Sequence, residues 1–205
     1  MNDMKVIEDF EQTIAEFSDA KYGVAVSSCT NAIFLSLQYL RSINEIKYSI
    51  IKIPSHTFLS VPCQIKLCGL DVAFEDIPWS GLYQLYPTRV WDCATRFKKD
   101  MYVGQNALQC LSFQYRKHLK IGRGGMIITD DKDAVRWLRM ARINGRHVGV
   151  TQGNELLEFC GWNMYMTPEQ AARGLALFNA LTSKDLPDCG SSKTYPDIST
   201  QKVFK

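Results

Sequence analysis

Two residues of this chain carry groups that can act together on a carbonyl compound and a pyridine ring. Lys117 follows the apolar run 108–113 after a short polar stretch, and Asp92 ends another apolar run. A lysine amine can form an imine with a carbonyl compound. A carboxylate near a sheet interior needs a partner, and a protonated pyridine nitrogen would be one. These are the two groups that the chemistry of pyridoxal 5'-phosphate requires.

Each of the two residues also has an ordinary structural interpretation. Lys117 can be a solvated lysine on a basic loop, because Arg116, Lys120 and Arg123 lie near it in the sequence. Asp92 can cap the turn that follows it. The glycine-rich stretch 122–125 favours a tight hairpin-like turn over a phosphate loop, since no helix with a Lys-Ser/Thr start follows it.

Residues after other apolar runs are further candidates. The turn 27–30 is small and rich in hydroxyl groups, so its backbone N–H groups and a helix dipole could hold a phosphate. An ordinary Ser/Thr helix cap is the alternative. Phe58 could lie flat on an aromatic ring, or it could belong to the core. The hydroxyl of Ser112 could also reach a phosphate.

The elements that must position these residues alternate along the chain. Residues 7, 10, 14 and 17 are apolar at helical spacing and predict an amphipathic first helix. We predict strands at 22–26, 48–53, 71–75, 88–91, 107–113 and 125–129. We predict further helices around 33–40, at 57–67, at 131–142 and from about 167. This alternation predicts the α/β class, with a mainly parallel sheet covered by helices on both faces.

Two segments differ in composition. Residues 1–184 have the patterning of one packed domain, whereas the chain after Leu181 is rich in Ser, Asp, Pro and Gly. We therefore predict a domain at 1–184 and a loosely packed tail at 185–205.

Composition excludes several classes of function. The chain has 205 residues and a net charge of +3, and its 24 basic residues are scattered, so nucleic acid is not the expected partner. It has no apolar stretch of the ~20 residues that a membrane span requires, so we expect a cytoplasmic protein without a membrane partner. The seven cysteines have no Cys-x-x-Cys pair and predict free thiols, with no metal site.

Several segments in this order resemble the DegT/DnrJ/EryC1/StrS sugar aminotransferase family, whose members have fold type I and depend on pyridoxal phosphate. The similar pieces are 22–32, 54–58, 92–94, 112–117 and 161–166, within a match from about residue 8 to 181. The resemblance implies the large domain of that fold, in which a mainly parallel, seven-stranded-type sheet lies between helices in three α/β/α layers.

The resemblance also implies a role for each matching residue. Lys117 would bind the cofactor covalently and move protons, and Asp92 would pair with its pyridine nitrogen. Phe58 would stack on its ring. The phosphate would be held by the Ser112 hydroxyl and by the backbone around two further residues, Cys29 and Thr30. Asn163 would reach in from a second subunit, which implies a homodimer with shared active sites.

The function implied is transfer of an amino group from an amino acid such as glutamate to a keto sugar, which we expect to be nucleotide linked. The family continues with a smaller domain that we expect this chain to lack, and Cys29 stands where the family usually has glycine. The alternative is a shortened, non-catalytic, dimeric binding or scaffold protein. A basic cluster could hold a diphosphate, although a solvated face is the commoner explanation; it comprises Arg139, Arg142, Arg146 and His147.

Overall fold

The computed structural model describes residues 4–181 and 185–204. Its helices are α1 (Lys5–Ser18), α2 (Cys29–Ser42), α3 (Ser60–Leu67), α4 (Lys132–Ala141) and α5 (Pro168–Asn179). Its strands are β1 (Tyr22–Val26), β2 (Ile50–Pro54), β3 (Asp71–Glu75), β4 (Tyr83–Gln84), β5 (Val90–Asp92), β6 (Leu108–Ser112) and β7 (Gly125–Thr129). Each predicted element is present. β1, β3 and β7 have the predicted ends, and the other elements have ends shifted by a few residues. The two-residue strand β4 was not predicted.

The strands form a mixed arrangement. One sheet has the order β1-β7-β6-β5-β4, and β2 and β3 form a separate parallel pair. Within the five-stranded sheet only β5 and β6 pair in parallel; the other pairs are antiparallel. The α/β class is confirmed, but the prediction of a mainly parallel sheet is wrong for these pairings. The connection 113–124 has no helix that could carry the chain back across the sheet, so β7 returns antiparallel to β6.

Two layers of helices cover the sheet, which confirms the three-layer prediction. Val24 and Val26 of β1 pack into a core cluster with residues of α2, α3 and α4. Ala25, which points to the opposite face, packs into a second cluster with residues of α1 and α5. This alternation follows from the two-residue period of a strand.

The first helix buries the apolar stripe that predicted it. Phe10 and Ile14 are fully buried, and Phe10 packs against Phe113 with ring centroids 5.2 Å apart. A Cβ built at Gly174 would lie 2.6 Å from the Phe10 ring, so the absence of a side chain there allows α1 and α5 to approach closely.

A buried ionic cluster joins α1, β1 and α4. The Glu11 carboxylate accepts hydrogen bonds from Arg142, from Arg139 at 2.9 Å and from the Ala25 amide at 2.9 Å. Arg142 also donates to the Ala25 carbonyl at 2.6 Å and is 1% exposed. A diphosphate therefore has no access to Arg142, which removes it from the basic cluster considered above.

The segment 185–204 is packed against the domain, so the prediction of a loose tail is wrong. Gly190 and Ile198 are buried, and the backbone of Ile198 donates to Ser55 at 3.0 Å. The predicted boundary at residue 184 lies outside the described residues. No described helix is long and apolar enough to cross a membrane. All seven cysteines carry free thiols.

Candidate active site

A cavity of about 260 Å³ lies where β5 and β6 end. Its walls come from the start of α2, the loop after β2, the connection 113–124 and the C-terminal segment. Ligands in α/β sheets collect at such strand ends because the connecting loops and helix N-termini meet there. Six of the seven residues predicted for the site line this cavity: Cys29, Thr30, Phe58, Asp92, Ser112 and Lys117.

Asp92 is the buried anion of the cavity. It is the last residue of β5, and its carboxylate accepts hydrogen bonds from the Tyr83 hydroxyl at 2.8 Å and from the Ala94 amide at 2.9 Å. Burial raises the pKa of Asp92, against the lowering effects of these two hydrogen bonds and of the Lys117 charge. The bond to Ala94 is the turn cap that formed the alternative interpretation, and the carboxylate nevertheless faces the cavity.

Lys117 lies on the hairpin-like connection between β6 and β7. Its amide donates to the Gln114 carbonyl at 2.8 Å, and the Phe113 amide donates to the Gly124 carbonyl at 3.0 Å. Gly122 and Gly124 have φ of 114° and 146°, values that L side chains rarely adopt. The glycine-rich stretch therefore closes the tight turn that was predicted, and this turn brings the half-buried lysine to the cavity.

The N-terminus of α2 forms a second wall. Ser28 caps the helix, and its hydroxyl accepts a hydrogen bond from the Asn31 amide at 3.1 Å, which is the ordinary cap interpretation. Cys29 and Thr30 follow in the first turn, where helix amides have no acceptor within the helix. A Cβ at Gly125 would lie 2.4 Å from the Cys29 amide nitrogen, so α2 begins directly against β7.

The buried thiols of Cys29 and Cys110 lie in the core cluster beneath this wall, and that of Cys93 lies in the cluster on the opposite face of the sheet. The Cys29 thiol donates to the Cys110 carbonyl at 3.5 Å, so its sulfur packs towards β6. Burial raises the pKa of Cys29, Cys93 and Cys110, in the case of Cys93 to about 12. These thiols are protonated at neutral pH.

Phe58 and Ser112 also line the cavity, from the loop after β2 and from the end of β6. Phe58 is 54% exposed, so it does not belong to the core, and its ring meets the Tyr195 ring edge-on at 6.5 Å. Ser112 ends β6, and its hydroxyl accepts a long hydrogen bond of 3.5 Å from the Gln114 amide.

Asn163 lies outside the cavity lining of its own chain. It is exposed and forms an isolated antiparallel bridge with Ile143. Its role in a second subunit's site stays a prediction.

Three aromatic residues at the site were not selected from the sequence. Tyr83 bonds Asp92 and is also hydrogen-bonded to the Thr57 hydroxyl. Trp79 and Tyr195 line the cavity and stack with ring centroids 5.7 Å apart. Their positions depend on β4 and on the C-terminal segment, for which no local pattern predicted packing at the site.

This three-layer α/β/α domain, with a cavity at its strand ends, has the fold of the large domain of fold type I aminotransferases, as its likeness to their solved structures shows. The chain belongs to the DegT/DnrJ/EryC1/StrS aminotransferase family, whose model matches residues 2–101 and 92–184. Members of this family depend on pyridoxal phosphate.

Individual relatives agree with this assignment. The chain is 24% identical to the spore coat polysaccharide biosynthesis protein SpsC of Bacillus subtilis (strain 168), over 82% of this chain and 55% of SpsC. The solved structure of AtS13 from Actinomadura melliaura is similar, with 18% identity, 86% of this chain and 60% of that chain covered, and a TM-score of 0.73. The sugar aminotransferase CalS13 from Micromonospora echinospora has 16% identity with the same coverage and TM-score. At these identities the solved structures establish the fold, and the chain spans little more than half of each relative's length.

Proposed function

We propose that this chain binds pyridoxal 5'-phosphate and transfers an amino group from an amino acid to a keto sugar. One observation carries the proposal: Asp92 and Lys117 line the same cavity. Asp92 ends β5, Lys117 follows β6, and these two strands pair in parallel. When bound, the cofactor supplies an electron sink through which an amino group moves between a donor and a carbonyl acceptor.

The residues of the cavity fit this cofactor. A buried carboxylate needs a cationic or hydrogen-bonding partner, and Asp92 has only two hydrogen bonds for its two oxygen atoms. Asp92 would accept the proton-bearing ring nitrogen, and the exposed ring face of Phe58 would pack on the cofactor ring. The amides of Cys29 and Thr30, at the positive end of α2, would hold the phosphate together with the Ser112 hydroxyl.

Within that arrangement Lys117 and Asp92 would have different roles. The amine of Lys117 would hold the cofactor. Once released, it would in each half-reaction accept a proton from one carbon centre and donate a proton to another. Asp92 would keep its partner nitrogen protonated. The burial of Asp92 and the partial burial of Lys117 would reduce exchange of these protons with water.

The substrate class is supported by the names of the relatives and by charge. SpsC is a polysaccharide biosynthesis protein and CalS13 a sugar aminotransferase. Arg116 and Arg123 line the cavity and give it positive charge, which suits the carboxylate of a donor such as glutamate or the diphosphate of a nucleotide-linked keto sugar.

We include a homodimer in the proposal. Asn163 is exposed, and the neighbouring part of the chain carries exposed apolar side chains that a second subunit could cover: Val148, Leu156, Leu157 and Tyr165. Asn163 of each subunit would then complete the phosphate site of the other. A cytoplasmic location also stays a prediction.

The test is the half-reaction of the purified chain with glutamate. Protein loaded with pyridoxal phosphate should show a visible absorption band that borohydride removes, and glutamate should convert the cofactor to its amine form. Lys117→Ala should abolish both signals, whereas the matched control Lys120→Ala, at an exposed residue of the same loop, should retain them. Colourless protein that takes up no cofactor would instead support the non-catalytic scaffold.

A further inference from the structure

The segment 185–204 supplies part of the cavity wall. Tyr195, near its middle, lines the cavity and stacks on Trp79 at an interplanar angle of 27°. The Trp79 ring is itself fixed, because its indole nitrogen donates to the His56 carbonyl at 2.8 Å. The ring of Tyr195 also meets Phe58. A residue remote in sequence from every predicted site residue therefore contacts two sides of the cavity.

Attachments on both sides of Tyr195 hold the segment in place. On the N-terminal side, the Asp188 carboxylate accepts two hydrogen bonds from Arg96, at 2.7 and 2.9 Å. On the C-terminal side, Ile198 is 6% exposed and its amide bonds Ser55. A two-point bidentate contact and a buried aliphatic side chain each restrict the backbone between them. We call residues 185–204, fastened in this way, the strap.

The backbone of Tyr195 has a partner in the domain, and its phenol is electrostatically coupled to Lys117. The Tyr195 carbonyl is hydrogen-bonded to Nδ1 of His56 at 2.9 Å, which fixes the residue over the loop that carries Phe58. Burial raises the pKa of the phenol, while the charge and a hydrogen bond of Lys117 lower it. Tyr195 and Lys117 line the same cavity, and a neutral phenol oxygen can accept a hydrogen bond from a lysine amine.

The strap leaves the cavity open to a ligand. The volume of about 260 Å³ is the space that remains with Tyr195 in place as a lining residue. Tyr195 therefore acts as a wall beside Lys117, and it does not fill the site.

We propose that Tyr195 is a positioning residue of this site, whose hydroxyl holds the amine of Lys117 in the cavity while the strap closes one side of it. This inference rests on the proposed function only for the statement that Lys117 is the reactive amine. The contact between Tyr195 and Lys117 can be tested without any cofactor.

The experiment uses the full, cofactor-free chain and measures the rate at which each lysine is acylated by acetic anhydride, with peptide mass spectrometry as readout. Tyr195→Phe keeps the ring and its stacking but removes the hydroxyl. Loss of one hydrogen bond should raise the acylation rate of Lys117, relative to that of Lys120, by about 3- to 10-fold. Tyr48→Phe, at an exposed tyrosine outside the cavity, is the matched control and should leave the ratio unchanged.

Asp188→Asn tests the strap separately, because Asp188 does not line the cavity. Asp188→Asn should speed proteolytic cleavage within 185–204 and should raise the acylation rate of Lys117 relative to that of Lys120. Tyr195→Phe should raise the same rate ratio but leave the cleavage rate unchanged. An unchanged ratio in Tyr195→Phe would overturn the inference, even if Asp188→Asn failed to fold. A raised ratio in a protein that shows no half-reaction with glutamate would keep Tyr195 as a partner of Lys117 and refute the proposed function instead.

Discussion

The Asp92 carboxylate depends on the nearby Ala94 amide and also on Tyr83, a partner that its own sequence neighbourhood does not reveal. Tyr83→Phe removes the hydroxyl that donates to Asp92, and this hydrogen bond lowers the Asp92 pKa. The pKa should therefore rise further, and the acid limb of the half-reaction's pH profile should move to higher pH. The unfolding free energy should fall by about 1 to 3 kcal/mol. Denaturant titration and stopped-flow pH profiles measure the two effects.

The control for that prediction is Tyr86→Phe, because Tyr86 is exposed and does not line the cavity. An acid limb at the same pH in Tyr83→Phe and in the unaltered chain would show that Asp92 does not set it.

Residue types predicted part of the site. Lys117 and Asp92 could be selected because an amine and a carboxylate after apolar runs are unusual, and both runs proved to be neighbouring strands. Tyr83 and Tyr195 could not be selected, since a phenol is ordinary in any core or surface and only tertiary contacts bring these two to the cavity.

At the scale of elements, the cluster around Glu11 should dominate how α1, β1 and α4 hold together. Arg142→Ala leaves the buried Glu11 carboxylate without its main partner, which should lower the unfolding free energy by about 3 to 5 kcal/mol. The surface pair of Arg136 with Glu158 gives the control, because Arg136→Ala should cost at most about 1 kcal/mol. Urea titrations of the two variants should differ accordingly, and equal losses would refute a structural role for the buried cluster.

The strap should detach at low pH. The hydrogen bond from Arg96 lowers the pKa of Asp188. The ion pair of Asp188 with Arg96 therefore stabilises the docked strap fully above the ordinary aspartate pKa of about 4, and this stabilisation is lost as the pH falls through the lowered pKa of Asp188. Lys98, 3.9 Å from Asp188, stays charged throughout, and His118, whose pKa is raised, is already protonated there. The Trp79 fluorescence, isolated by difference against Trp79→Phe, should change below pH ~4.

Asp188→Asn provides the comparison for this titration. That variant has no carboxylate at 188, so its Trp79 signal should already resemble the detached state at neutral pH. A low-pH transition of the same size in Asp188→Asn would assign the change to another group.

The sequence predicted the types of the helices and strands better than it predicted whether neighbouring strands pair in parallel or antiparallel. The apolar periods of α1, β1 and β7 are local and gave the right element types. The antiparallel return of β7 and the docking of the strap depend on contacts between distant residues, such as Asp188 with Arg96, and composition alone suggested a loose tail.

At the scale of the whole molecule, the proposal of shared active sites predicts how much activity a mixture of two inactive variants should recover. If Asn163 serves the partner's site, a heterodimer of Lys117→Ala with Asn163→Ala chains contains one site with both residues intact. Random mixing should then restore about a quarter of the unaltered activity from two inactive preparations, because half the dimers are mixed and each has one working site. Activity after co-expression, with size-exclusion chromatography for the dimer, measures this. Homodimers of each variant are the controls, and no recovery in the mixture would place Asn163 outside the partner's site.

The buried sulfur atoms of three cysteines affect how the protein withstands chemical damage. Thiolates, not thiols, react with alkylating agents and peroxides, and the high pKa of Cys29, Cys93 and Cys110 keeps them in the unreactive form. Iodoacetamide and hydrogen peroxide should therefore modify the exposed Cys160 and Cys189 first. Cys29, at the start of α2, therefore lines the cavity without making it sensitive to oxidants.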